Sequence, residues 1–411
     1  MEESRYMQQA AEMLLSVHLR ALTIEERREK AIELASLMMS EARRIQTHQE
    51  RTVQQMLSAM MEDPAGKIFT TSFTDQCFRT KRSNRLLDQL LYLIKRLGVP
   101  SFLPFKNKLG LYLFKYLGAS RFSTFFVPLL RYFVRKECER VILPAERAPY
   151  LRHMKKRRKE NIRINLNHLG EAILGEKEAH KRLQLYLNDL ASVEVEYISV
   201  KISTLFSQIN LLAFDKTIES LAIPLRRLYR AARDHFYVDA KGERRSKFVN
   251  LDMEEYRDLR LTVALFKHVL SEPEFFHHSA GIVLQSYLPD SYLIQRELTL
   301  WAMQRFAAGG APIKIRIVKG ANLAMEQVDA ALHGWPQAPY TYKTDVDANF
   351  KRMVSEACKK EHAQAVHIGI GSHNLFDIAY ALLLRRENGV EKEVDFEMLE
   401  GKSFDEQAAF S

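Results

Sequence analysis

The chain has 411 residues, 46% hydrophobic and 27% charged, the balance of a globular protein with a sizeable core rather than of a disordered or fibrous one. Its 61 lysines and arginines exceed 51 acids for a net charge of +10, which raises an anionic partner, while the polar first residues predict no signal peptide and no apolar run is long enough to span a bilayer. Cys77, Cys138 and Cys358 share no metal-ligand spacing, which predicts neither a metal site nor a disulfide framework and suits a reducing, cytoplasmic setting.

From the N-terminus, residues 1 to about 60 read as helix, with Thr23 and Glu26 spaced as a capping box. Helical periodicity continues through "SNRLLDQLLYLIKRLG", where Gly98 and Pro100 form a stop signal. The stretch Val99–Val141 mixes Phe, Leu, Tyr, Lys and Arg and reads as core packing, with a membrane-surface helix as the alternative. Pro144 and Pro149 mark a boundary, so residues 1–150 are expected to form an α-helical arm and residues 151–411 a second domain. The densest basic run, Met154–Arg163, has no aromatic residue for base stacking and reads as a solvated helix end, so no nucleic acid is expected.

Beyond residue 160 the texture changes to short β-branched runs at 161–167, 195–203, 247–252, 281–287, 313–320, 365–371 and 394–399, with helical stretches between them. Such alternation predicts a parallel sheet with helices outside it. In each run one face is apolar and the other turns polar toward the C-terminal end: Ile313, Ile315 and Ile317 oppose Arg316, and Val249 and Leu251 oppose Asn250 and Asp252. A doubly wound sheet buries both faces, whereas a barrel packs one face on helices and opens the other into a site. The expected fold class is therefore α/β, a (β/α)8 TIM-type barrel behind an all-α N-terminal domain, with seven of the eight strands present in this chain.

The rim residues that follow from this parity are Lys201, Asp252, Gln285, Arg316, Lys319 and His373. An internal ion-pair network is the bland reading of any one of them. Cations and amides converging from several strands, without a nucleophile elbow or a carboxylate-rich cluster, suggest an anionic cofactor or substrate held for electron or hydride transfer.

"IRIVKGAN", "GWPQAPY", "DANFKRM", "SHNLFD" and "FEMLEG" closely resemble the proline dehydrogenase domain of the bifunctional proline utilization A flavoenzymes. "INLNHLGEAILGE", "SVKIS", "VNLDMEEYRDL" and "VLQSYLPDS" match the same family in order, from about residue 160 to 401. The resemblance implies non-covalent FAD, oxidation of L-proline to Δ1-pyrroline-5-carboxylate by hydride transfer, and a membrane quinone as later acceptor, with peripheral membrane association. It assigns Lys201, Asp252 and Arg316 to the proline pocket and catalysis. Gln285 and Arg316 would contact the isoalloxazine, Lys319, Gly320 and Ala321 would lie along the cofactor, and Lys343 would reach its phosphates or ribityl chain. Ser372, His373 and Asn374 would take the adenylate or pyrophosphate side, and Glu397, Met398 and Leu399 would meet FAD from the last strand.

The family's paired carboxylate-binding arginines follow an eighth strand that lies beyond this sequence, and Arg385 and Arg386 do not take their place because they sit in the preceding helix. The NAD-dependent aldehyde dehydrogenase domain of the bifunctional proteins is likewise outside the sequence. The alternative reading is a truncated, non-catalytic remnant or interaction module.

Overall fold

The computed structural model describes residues 4–18, 20–73, 77, 82–117, 127–128, 130–132, 135, 146–168, 173, 175–239 and 241–400. The chain divides into two compact units, residues 1–39 with 146–398 and residues 40–145 with 399–411. Of Val99–Val141, the part up to residue 117 is described and contains the helix Phe105–Leu117, while most of the remainder lies outside the described residues.

In the first unit, α1 (Arg5–Ser16) and the start of α2 (Ile24–Ile45) precede the barrel in sequence. The expected capping box is formed: Thr23 N–H donates to Glu26 Oε2 at 2.9 Å and Glu26 N–H to Thr23 Oγ1 at 3.2 Å. The second unit contains α3 (His48–Met61), α4 (Pro64–Ser72), α5 (Ser83–Leu97) and α6 (Phe105–Leu117). On α5, Leu86, Leu87, Leu90, Leu93 and Ile94 follow helical spacing and are buried with Phe69.

After α7 (Arg147–Lys159) come β1 (Asn165–Asn167), α8 (Glu176–Ala191), β2 (Tyr197–Lys201) and α9 (Phe214–Asp234). A hairpin, β3 (Phe236–Val238) and β4 (Arg244–Ser246), leads to β5 (Phe248–Asp252), α10 (Leu259–Leu270), β6 (Gly281–Gln285) and α11 (Asp290–Ala307). Then follow β7 (Ile313–Val318), α12 (Leu323–His333), α13 (Lys343–Ala357), β8 (Val366–Gly371), α14 (Leu375–Asn388) and β9 (Val394–Glu397).

Among the described residues, seven strands form one parallel sheet in the order β1-β2-β5-β6-β7-β8-β9. The order never reverses, so there is no switch point of the doubly wound kind and the sheet winds in one direction, as in a TIM-type barrel. Its curl follows from side-chain reach. Strands β2 and β7 are three positions apart, about 14 Å on a flat sheet, yet Arg316 on β7 meets the Tyr197 hydroxyl on β2 at 2.8 Å. The outer face is apolar: Ile198, Val200, Val249, Leu251, Ile282, Leu284, Ile313, Ile315, Ile317 and Ile370 are fully buried in one core with the helices. The inner face carries Lys314 and Arg316, as the alternation in β7 predicts.

α1 and the start of α2 belong to this unit because the arm is fastened to α14. Arg27 donates to both carboxylate oxygens of Glu387 at 2.8 Å, and the Leu22 N–H donates to the same carboxylate at 3.2 Å. The first 39 residues thus group with residues 146–398 rather than with residues 40–145. No described helix is long and apolar enough to cross a membrane.

Candidate active site

Three groups of side chains gather at the C-terminal ends of the strands. The innermost centres on Arg316, whose side chain is 11% exposed. Its Nε donates to Glu397 Oε2 at 2.7 Å, Nη1 to Asp252 Oδ1 at 3.1 Å, and Nη2 to Tyr197 Oη at 2.8 Å. Three strands, β9, β5 and β2, thus fix one guanidinium plane. Asp252 also accepts from Asn167 Nδ2 at 2.7 Å and Asn250 Nδ2 at 3.1 Å. Burial works against the Arg316 charge, but Tyr197, Glu397 and Asp252 outweigh it and hold the guanidinium above its ordinary range. Burial pushes the Asp252 carboxyl up, against the pull of Arg316 and of hydrogen bonds from Ser199 and Asn250. Glu397 keeps a lowered value because Lys314 and Arg316 overcome its burial.

The second group is organised by Glu254. Lys201 Nζ lies 2.7 Å from Glu254 Oε1, while Gln285 Nε2 and Asn322 Nδ2 donate to the Glu254 backbone carbonyl at 3.3 and 2.8 Å. The third lies where α13 and α14 begin. Lys319 pairs with Asp347 on α13 and, at 2.6 Å, with Asp377 on α14. Lys343 approaches Asp347 at 2.6 Å, Lys351 lies 3.3 Å from Asp377, and Ser372 Oγ donates to Asp377 at 3.3 Å. Asn374 caps α14, its Oδ1 accepting from the Phe376 and Asp377 N–H groups at 2.9 and 3.3 Å. Three lysines against two aspartates leave the cluster net positive beside two helix N-termini.

The structure therefore brings Arg316, Asp252 and Glu397 into direct contact, joins Lys201 to Gln285 through Glu254, and joins Lys319, Lys343 and Ser372 through the two aspartates. Gly320 and Ala321 form an exposed turn, His373 is exposed beside the cap, Met398 is half-buried after β9, and Leu399 groups with the other compact unit. Arg385 and Arg386 lie on α14, about 15 Å along the helix from its rim end. There Arg386 donates to Glu391 at 2.6 Å and Arg385 lies over the Phe396 ring. Sequence reasoning missed Tyr197, Glu254, Asp347 and Asp377. Tyr197 shares the parity of Ser199 and Lys201, so extending that face by one step would have found it. No group of His, Cys, Asp and Glu among the described residues could hold a metal ion.

Sequential parallel strands, helices outside and an ion-paired rim at the strand ends define a TIM-like α/β protein. The sequence pattern of the proline dehydrogenase family matches residues 150–409, and the chain belongs to that family. Proline utilization A from Corynebacterium freiburgense is 44% identical over 69% of this chain and 28% of its own, with a TM-score of 0.62. The Bdellovibrio bacteriovorus protein inactivated by N-propargylglycine shares the fold at 24% identity and a TM-score of 0.73, over 92% of this chain and 37% of its own. The D779Y mutant of Bradyrhizobium japonicum does so at 16% identity and 0.65, over 98% and 41%. The chain thus spans less than half the length of these proteins. No curated protein matched it.

Proposed function

We propose that this barrel oxidises L-proline to Δ1-pyrroline-5-carboxylate with non-covalently bound FAD, and that the electrons pass on to a membrane quinone at a peripherally associated surface. The observation that carries the reading is the buried Arg316 cation, held on the barrel's inner face by Glu397, Asp252 and Tyr197.

The donor set fits FAD. A fixed guanidinium suits the end of the cofactor that becomes more negative on reduction. A net positive lysine cluster beside two helix N-termini suits its pyrophosphate. Arg316 and Gln285 would hold the isoalloxazine, with Glu397 and Met398 beside it. Lys319, Gly320, Ala321, Lys343, Ser372, His373 and Asn374 would hold the remainder. When bound, FAD supplies the two-electron acceptor for the oxidation. Lys319 acts chiefly as a bracket, tying the first turns of α13 and α14 together through Asp347 and Asp377. Lys201 and Asp252 order the proline pocket and, with Arg316, set its charge balance. Because Glu254 occupies Lys201, a substrate carboxylate reaching that lysine must compete with an ion pair of 2.7 Å.

The test is purified chain loaded with FAD and incubated with L-proline and a soluble quinone, with pyrroline-5-carboxylate trapped as its aminobenzaldehyde adduct. Adduct that requires both FAD and L-proline is expected. A chain that retains FAD yet yields no adduct at any L-proline concentration contradicts the reading.

A further inference from the structure

We propose that Lys314 is a positioning residue for the cofactor: it shares the Glu397 carboxylate with Arg316 and so sets how much positive charge Arg316 presents. The inference rests on the FAD reading above.

Lys314 sits two residues before Arg316 on the same inner face of β7 and is 12% exposed. Its Nζ lies 2.8 Å from Glu397 Oε1, a close ion pair without hydrogen-bond alignment, while Arg316 Nε takes Oε2 at 2.7 Å. One carboxylate on β9 is thus divided between two cations of β7, two strands away in the sheet. Both cations also flank the Tyr197 ring, each 5.6 Å from its centroid.

A gap in β8 makes this division possible. Gly369 is paired with Arg316 on one side and Asp395 on the other, between β7 and β9. A Cβ at Gly369 would lie 2.2 Å from Glu397 Oε1 and 3.0 Å from Lys314 Cε, so only a residue without a side chain lets the pair meet across the intervening strand. The charges balance locally, with Lys314 and Arg316 against Asp252 and Glu397. Asp395, 3.5 Å from Lys314, is half-exposed and counts for less. Removing the lysine charge leaves Glu397 wholly to Arg316 and makes the inner face one unit more negative. Reduction of bound FAD adds negative charge, so it then becomes harder.

The test is the reduction potential of FAD bound to the full chain, measured spectroelectrochemically with FAD stoichiometry in parallel. Lys314→Met is expected to shift the potential negative and Glu397→Gln to shift it positive. The double variant should return toward wild type, and Lys314→Arg should hold the wild-type value. If Lys314→Met loses FAD, the Glu397→Gln shift and the double variant carry the test. A double variant no closer to wild type than a single one, or single variants at the wild-type potential, overturns the inference while the FAD reading stands. A wild-type chain that takes up no FAD overturns both.

Discussion

Arg316 donates to side chains on three strands, so its orientation is set before any ligand arrives. Arg316→Met leaves Asp252 and half of Glu397 without a buried cation, and the expected result is at least a tenfold loss of FAD affinity by fluorescence titration, on the scale of a charged hydrogen bond at about 1.5–3 kcal/mol. Arg316→Lys should restore little, because an ammonium cannot bridge three strands with one plane. Gly320 meets a different constraint. Its φ is +121°, and a Cβ there would lie 2.2 Å from the Tyr287 ring. Gly320→Ala is expected to lower stability by roughly 1–3 kcal/mol in urea denaturation. These positions differ in legibility. Arg316 stands out as a cation in an isoleucine alternation, and Lys314 shares its parity, but only the three-dimensional pairing across Gly369 reveals that Lys314 divides a carboxylate with it.

Among the elements, α10 begins beside a carboxyl that costs stability at neutral pH. Asp258 is 6% exposed. Burial, then Glu255, Glu254 and Glu326, push its pKa up to about 6 against the pull of Arg257. The folded chain therefore binds this proton more tightly than the unfolded one, and its contribution to stability falls as pH rises from about 4 to 6. Asp258→Asn is expected to be more stable than wild type at pH 7 by up to about 3 kcal/mol, a difference that fades near pH 4. Paired denaturation curves at the two pH values check it. The N-terminal arm makes the opposite case: Arg27→Ala leaves the Glu387 carboxylate, 5% exposed, without its bidentate partner. A loss of roughly 2 kcal/mol is expected, with earlier proteolysis of the first 39 residues. Neither feature was legible in the sequence, because Glu387 lies 360 residues from Arg27, while the burial that chiefly raises Asp258 and the approach of Glu326 from α12 exist only in the folded chain. The hairpin β3–β4 was missed because its second strand, Arg244–Ser246, is charged and exposed and carries no period-two signal.

For the whole molecule, seven alternating runs were enough to anticipate a parallel sheet wound in one direction, since the apolar parity of each strand records which face meets the helices. The site was less legible: the Arg316 network depends on curl, which brings β2 beside β7, and the Lys319 cluster depends on aspartates contributed by α13 and α14 rather than by strands. The proposed function requires that this inner face hold a flavin that L-proline reduces. The most direct measurement is the visible absorbance of the FAD-loaded chain under anaerobic titration with L-proline. Bleaching of the flavin bands, slowed or abolished in Arg316→Met, is the expected result. A retained flavin whose spectrum L-proline leaves unchanged would contradict it.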